Sequence, residues 1–173
     1  RPTIQDIVDW PQQGVLGLGK KEVGETDGFV FRDYNAVVNA FHYQGLVVMA
    51  RLAKQLGKTE DATFFENRVN QVKKAFQATF INPQTGLVRD GEGTDHSSLH
   101  ANMMALAFGL VPEKSQPNVL AHMRSRGMAC SVYGSQFLLD ALYNAHESAY
   151  ALALLTSTEE RSWYNMIRTG STM

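Results

Sequence analysis

The amino-acid sequence predicts an all-α fold built from successive helical hairpins. Apolar residues recur at steps of three and four through several segments of the 173-residue chain, which is the spacing of one helical face. No segment alternates apolar and polar residues long enough to require a β-sheet. Glycine or proline stands near the end of most periodic segments, where a helix would stop. The length suits about one domain, and we expect about seven helices.

Residues 1–33 are predicted to be loop-rich, because glycines, Pro2 and Pro11 interrupt every periodic pattern there. Within this segment, Gly14 to Lys20 matches the spacing of a phosphate-binding loop. Lys21 stands where such a loop needs Ser or Thr to hold Mg²⁺, so a flexible loop is the favoured interpretation. We therefore expect no nucleotide and no other cofactor.

Helical hairpins are predicted over residues 34–173, and the first covers 34–80. Its first helix, at about 34–56, has Asp33 as candidate N-cap and Gly57 at its C-terminal stop. The second helix, at about 60–80, repeats the spacing, and the short linker 57–59 requires the two helices to run antiparallel. One apolar face of the first helix contains Tyr34, Val37, Val38, Phe41, Gly45, Val48, Met49, Leu52 and Leu56.

Five further helices are predicted after a turn-rich loop at residues 82–95. The third, at 97–111, and the fourth, at 116–126, form a second hairpin. A fifth extends from about Val132 to His146, a sixth covers 148–156, and a short seventh precedes Gly170. The sixth is apolar on nearly all sides, which predicts burial on more than one side.

The charge balance and the cysteine content argue against several classes of function. Sixteen Lys and Arg against seventeen Asp and Glu give a net charge of -1, so no general field attracts nucleic acid or an anionic membrane. The best candidate for a membrane span, residues 103–111, is far too short. The single cysteine, Cys130, cannot form an internal disulfide or a thiolate zinc cage. We expect neither nucleic acid nor a membrane as a partner.

Two histidines and an acidic loop match metal sites only in part. His96 and His100 stand four residues apart, so a helix would bring both to one side. The Glu of a zinc-protease helix is absent, and the acidic loop 90–95 lacks the closing Glu of an EF-hand. Surface or capping histidines and a solvated loop are the favoured interpretations, with His100 facing a pocket as an intermediate alternative. We expect no metal.

Aromatic residues beside polar ones are the more informative pattern. Sugar rings stack their apolar faces on Trp and Tyr while their hydroxyls form hydrogen bonds. Asp9-Trp10 and Arg161-Ser162-Trp163-Tyr164 are such places. Either tryptophan would serve equally well as an anchor of the core.

Four strings of residues, taken in order, resemble a known family. They are Val8-Asp9-Trp10-Pro11, then Ser97-Ser98-Leu99-His100-Ala101-Asn102, then residues 131–139, and then residues 162–166 followed by Gly170-Ser171-Thr172-Met173. Their order and spacing resemble the catalytic domain of α-L-rhamnosidases, glycoside hydrolase family 78, from about Ile4 to the last residue. The resemblance implies a six-hairpin (α/α)6 barrel that binds the sugar in a cavity at one end. Residues 1–173 would then be a single segment from the central part of that barrel.

Members of this family are inverting hydrolases that remove terminal α-L-rhamnose from glycosides and polysaccharides. In inversion, a carboxylic acid protonates the leaving oxygen while a carboxylate activates water on the other face. The family's acid motif, D-x-x-x-R-D-E-R-x-G-W-x-G-D, does not occur in this chain, and the Trp-Glu pair that carries the base would follow the last residue. The resemblance therefore implies a general acid before Arg1, a general base after Met173, and no hydrolysis by this fragment alone.

The resemblance also implies substrate-binding residues, position by position. Trp10, next to Asp9, matches the pocket tryptophan that stacks on the deoxyhexose, and His100 and Trp163 lie in matching strings near the pocket. The implied partner is a rhamnose-containing glycoside. A partial barrel would leave apolar faces uncovered, which predicts self-association.

Two alternative functions stay open at this point. The chain could be a non-catalytic sugar-binding or structural helical module, or part of another six-hairpin glycosidase or lyase, because fold does not determine function. The sequence begins Arg1-Pro2-Thr3, without an initiator Met or a signal-like region. It therefore indicates no cellular compartment and suggests a piece of a longer chain.

Overall fold

The computed structural model describes residues 6–10 and 24–170, and the described part is all-α, as predicted. Its seven α-helices are α1 (Ala36–Gln55), α2 (Thr59–Phe80), α3 (Leu99–Ala107), α4 (Gln116–Arg126), α5 (Val132–Asn144), α6 (Ser148–Leu155) and α7 (Trp163–Arg168). A 3-10 turn at Glu113–Ser115 precedes α4. The phosphate-loop-like residues 14–20 lie outside the described residues.

The helices pair in chain order, which confirms the predicted hairpins. α2 packs along α1, α4 packs against α3, and α6 packs against α5. α3 also contacts both α1 and α5, so these three helices lie side by side, each with its own hairpin partner. Every residue from Leu99 to Leu106 of α3 is buried, because α1, α4 and α5 enclose that helix.

Glycines with positive φ follow the ends of four helices, α1, α3, α4 and α7, and those after α1 and α3 form the same turn. Gly57 has a φ of 68° after α1, and its amide donates to the Lys54 carbonyl while the next amide donates to the Ala53 carbonyl. This pair of hydrogen bonds satisfies carbonyls that the last turn leaves free. Gly109, with a φ of 70°, ends α3 in the same way. α3 is therefore shorter than the predicted range 97–111.

The start of α1 differs from the prediction. Asn35, not Asp33, is the N-cap, and its Oδ1 accepts a hydrogen bond from the Val38 amide at 2.9 Å. Asn35 also forms an isolated antiparallel β-bridge with Gly91. The bridge keeps Asn35 extended, with φ -114° and ψ 150°, so the helix can begin only after it.

α1 buries the face that carries mostly small residues and exposes the face that carries large apolar residues. The buried residues are Ala36, Val37, Ala40, Tyr43, Ala50 and Ala53. Large apolar side chains at the start of α1 and along it are 40% or more exposed: Tyr34, Val38, Phe41, Val48, Met49, Leu52 and Leu56. We call this second set the α1 apolar face. Among the described residues, Phe41 of this face makes aromatic contacts. The centroid of its ring lies 5.3 Å from the ring centroids of Phe108 and of Phe137.

α6 likewise exposes part of its apolar surface. Ala151 and Leu154 are buried, whereas Leu152 is 56% exposed and Leu155 is 38% exposed. The prediction that α6 is buried on more than one side is therefore wrong for the described residues, where α5 is its main packing partner. No helix in residues 6–10 and 24–170 combines the length and apolar character needed to cross a bilayer.

Candidate functional site

A buried carboxylate at the start of α5 lies at the centre of the site. Asp9 accepts hydrogen bonds from the Ser131 backbone amide at 2.9 Å, from the Ser131 hydroxyl, and from the Trp10 backbone amide at 2.8 Å. Ser131 is the N-cap of α5, and its hydroxyl oxygen accepts from the Gly134 amide at 3.1 Å. The carboxylate thus lies at the positive end of a helix dipole, where a negative charge is favoured.

His100 adds a further donor to Asp9. Its Nε2 lies 2.8 Å from Asp9 Oδ2, and the side chain is fully buried. Because Nε2 faces a carboxylate, Nε2 carries a proton and donates it. The other ring nitrogen, Nδ1, is buried and has no hydrogen-bond partner among the described residues. We call Asp9, His100 and Ser131 the Asp9 cluster.

The pKa of the Asp9 carboxyl lies below its usual value. Burial by itself raises this pKa, because it penalises the charged form, but hydrogen bonds from His100, Ser131 and the Trp10 amide stabilise the carboxylate and outweigh burial. Asp9 is therefore an anion at neutral pH. It can accept hydrogen bonds and balance charge, and it is unsuited to donating a proton.

A cavity of about 360 Å³ opens beside the Asp9 cluster, a size typical of small-ligand sites. The exposed aromatic rings at its wall are Trp10, 52% exposed, and Tyr133, 86% exposed. Apolar and charged side chains complete a wall formed by Trp10, Glu25, Met128, Cys130, Ser131, Val132, Tyr133, Glu160, Arg161 and Met166. Exposed aromatic rings among charged groups suit a ligand with both an apolar face and hydroxyls, such as a sugar.

Hydrogen bonds hold Arg161 firmly at the cavity wall. Its Nε donates to the Met128 carbonyl at 2.8 Å, and its Nη2 donates to the Cys130 carbonyl at 3.0 Å. The guanidinium also pairs with the Glu25 carboxylate, and this hydrogen bond raises the pKa of Arg161 despite partial burial. Arg161 therefore remains a cation with a defined orientation, and donor capacity is left for a ligand.

The structure brings together three of the four residues predicted to bind substrate. Asp9, Trp10 and His100 are linked by hydrogen bonds, and of these three Trp10 lines the cavity while the other two side chains are buried. Trp163 is the first residue of α7 and packs, partly buried, against the hydrophobic core. From α7, Met166 reaches the cavity wall. Contact of the four predicted residues with a sugar stays a prediction.

Glu25 and Glu160 were not predicted to belong to the site. Tyr133 and Arg161 were noted only as members of longer strings, 131–139 and 161–164. Tyr133 and Arg161 each stand within two residues of an N-cap serine, at the start of α5 and of α7. Polar and aromatic residues at helix starts are a signal that could have identified them. Glu25 has no such signal, because its partner Arg161 is 136 positions away.

The two histidines considered as metal ligands point to different carboxylates. His96 Nδ1 lies 2.5 Å from Asp90 Oδ2, while His100 contacts Asp9. Asp90 is fully buried and accepts from the Val30 and Ser98 amides at 2.8 Å each. The prediction of a solvated loop at 90–95 is therefore wrong at its first two residues, because Gly91 is buried as well. Within the described ranges, no group of three or more His, Cys, Asp or Glu could hold a metal ion.

Comparison with known proteins gives a consistent family assignment. The sequence model of the bacterial alpha-L-rhamnosidase 6 hairpin glycosidase domain matches residues 2–173. A protein of Alteromonas sp. (strain LOR) named alpha-L-rhamnosidase is 26% identical over 171 residues, covering 95% of this chain and 17% of that protein. An alpha-L-rhamnosidase of Formosa agariphila is 26% identical over 145 residues, covering 80% of this chain and 15% of that protein. The chain thus spans less than a fifth of the length of these relatives.

Proposed function

Because the chain belongs to the family of bacterial α-L-rhamnosidase six-hairpin glycosidase domains, we propose that it forms the central part of the (α/α)6 barrel of an inverting α-L-rhamnosidase. Its substrate is a glycoside or polysaccharide that carries terminal α-L-rhamnose. The observation that carries this proposal is the exposed Trp10 ring at a cavity of sugar size. The curated relatives that bear the name alpha-L-rhamnosidase support the same substrate class.

Trp10 provides the stacking surface for the sugar ring. An indole that is about half exposed offers an apolar face to the C–H face of a pyranose. The Arg161 and Glu25 side chains supply a donor and an acceptor for hydroxyl groups. Rhamnose has a methyl group at C6, and the apolar wall of Met128, Val132 and Met166 can accept it. Asp9, His100 and Trp163 are proposed to contribute to the same binding site.

The two carboxylates that carry out inversion are proposed to lie outside these residues. The acid-bearing motif of the family does not occur in the sequence, and the buried Asp9 is held as an anion by its donors. We place the general acid before Arg1 and the general base after Met173 of the parent enzyme. The chain then supplies binding and orientation, while proton transfer depends on the rest of the barrel.

Rhamnose binding and glycoside turnover by the chain test this proposal. We expect L-rhamnose to bind in a calorimetric or NMR titration, and we expect no release of nitrophenol from nitrophenyl α-L-rhamnoside. Trp10→Ala should abolish binding. The control is Phe64→Ala, because Phe64 is an aromatic residue of similar exposure (59%) on α2, away from the cavity wall.

Turnover by the isolated chain that disappears in Trp10→Ala would refute the placement of the catalytic carboxylates. In the parent enzyme, Trp10→Ala should raise KM more than it lowers kcat, because stacking binds the ground state and the transition state alike. A parent protein that binds rhamnose without turnover would instead favour a non-catalytic sugar-binding module.

A further inference from the structure

We propose that His100 is a positioning residue: its buried imidazole holds the Asp9 carboxylate, and Asp9 in turn keeps Trp10 at the cavity wall. The inference rests on the proposed function, in which Trp10 is the stacking surface for the sugar. It assigns to His100 a role that needs no contact with the ligand.

The burial of His100 restricts what its side chain can do. The ring is fully buried and does not line the cavity. Its one described hydrogen bond joins Nε2 to Asp9 at 2.8 Å, and Nδ1 has no partner among the described residues. The hydrogen bond to Asp9 is therefore the one specific polar contact of the ring in the described part of the chain.

Asp9 transmits this contact to Trp10. Asp9 Oδ2 accepts from His100 and from the Ser131 amide, while Oδ1 accepts from the Ser131 hydroxyl and from the Trp10 amide. Both oxygens belong to one planar carboxylate, so a rotation that moves Oδ2 also moves Oδ1. Loss of the His100 donor would leave Oδ2 with the Ser131 amide alone, while Oδ1 keeps both of its donors. A carboxylate that rotates in response would shift the Trp10 backbone amide with it.

The surroundings of Asp9 leave it little room to compensate. An added Cβ at Gly134 would lie 2.6 Å from Asp9 Oδ2, so the carboxylate already packs directly against the first turn of α5. The Asp9 cluster thereby joins the Trp10 segment to the start of α3 and to the start of α5. His100 is 91 residues from Asp9 along the chain, and Ser131 is 122 residues from it. Small displacements of a stacking group weaken ligand binding because they disturb its orientation.

Three substitutions of His100 separate a positioning role from a structural one. In His100→Gln, the amide nitrogen can occupy the place of the imidazole Nε2 and donate to Asp9. The side chain of His100→Asn is one methylene shorter and cannot reach Asp9. His100→Leu fills a similar volume without any donor. The matched destabilised control is Val119→Ala, because Val119 is fully buried on α4 and does not line the cavity.

The readout is ¹⁹F NMR of the 173-residue chain labelled with 5-fluorotryptophan, together with its affinity for L-rhamnose. The chain has two tryptophans, so Trp163 serves as an internal reference, and Trp10→Phe assigns the other resonance. We expect His100→Asn and His100→Leu to shift or broaden the Trp10 resonance alone and to weaken rhamnose binding about tenfold, roughly the effect of one lost hydrogen bond. His100→Gln should restore both, and Val119→Ala should change neither.

Identical Trp10 resonances in His100→Gln and His100→Asn would overturn the positioning role, and these two variants decide the matter even if His100→Leu does not fold. If the Trp10 resonance is shifted in His100→Asn and restored in His100→Gln, but neither the wild type nor any variant binds rhamnose, the positioning role is supported and the proposed function is refuted. Rhamnose binding that is equal in all folded variants would leave the proposed function intact and refute the positioning role.

Discussion

Replacing Gly134 by alanine tests whether Asp9 is seated against α5 as the structure shows. A Cβ at this position would lie 2.6 Å from Asp9 Oδ2 and 3.0 Å from Cys130 Cβ. Gly134 is not among the glycines with positive φ, so alanine causes no backbone strain there. The steric contact with Asp9 is then the main consequence of the substitution.

The size of the effect follows from two opposing contributions. Glycine to alanine within a helix stabilises by up to about 1 kcal/mol. Displacing Asp9 Oδ2 weakens its hydrogen bonds from His100 and from the Ser131 amide, and hydrogen bonds to a charged group contribute about 1.5–3 kcal/mol each. The net expectation is a loss of about 2–5 kcal/mol. For a chain of this length, that loss lowers Tm by about 4–20 °C.

Thermal unfolding followed by calorimetry measures this loss, and Gly45→Ala is the matched control. Apart from the neighbouring residues and backbone of α1 itself, no atom lies within 4 Å of a Cβ built at Gly45. This substitution should therefore leave Tm unchanged or raise it. A Gly134→Ala variant as stable as the wild type would contradict the described position of Asp9.

Three further predictions concern titration, reactivity and association. The pKa of Asp9 in the folded chain is lower than the ordinary aspartate value of 3.8, so the unfolded chain takes up the proton first as pH falls. The stabilisation by Asp9 is complete above that ordinary value and is lost as pH falls through the folded pKa. Urea unfolding of Asp9→Asn should lack this acid-dependent loss, and equal slopes in both proteins would contradict it. Burial raises the pKa of Cys130 to about 12, so a thiol reagent at pH 8 should react only after denaturation, and rapid labelling of the folded chain would contradict this. The α1 apolar face should cause self-association that Leu52→Glu with Leu56→Glu reduces; sedimentation as a compact monomer without binding of an apolar dye would count against it.

The helices could be predicted because their signals are local. Local patterns of apolar residues, glycine and proline predicted all seven described helices, and Gly57 correctly marked the end of α1. The boundaries that were wrong depend on longer-range contacts or on a specific turn. α1 begins after Asn35 because of its bridge to Gly91, and α3 ends early because the chain reverses at Gly109.

The candidate site was predictable only through its aromatic and polar strings. Asp9, Trp10 and His100 were each named as candidates from the sequence, but nothing local indicated that His100 would contact Asp9. Glu25 was missed because its role depends on Arg161. A hydrogen bond between residues far apart in the sequence produces no periodic pattern, so it cannot be predicted from the spacing of residues.

The sequence by itself determined the helical content of this protein, the pairing of neighbouring helices into hairpins, and the family to which the chain belongs. Apolar periodicity shows which face of a helix avoids water, but it does not show what is available to cover that face. Only the tertiary structure decided that α1 buries its mostly small residues and exposes its large ones. It also decided that a carboxylate near the N-terminus lies at the start of α5, because that contact becomes favourable only when packing excludes water and brings the helix dipole and the donors to one place.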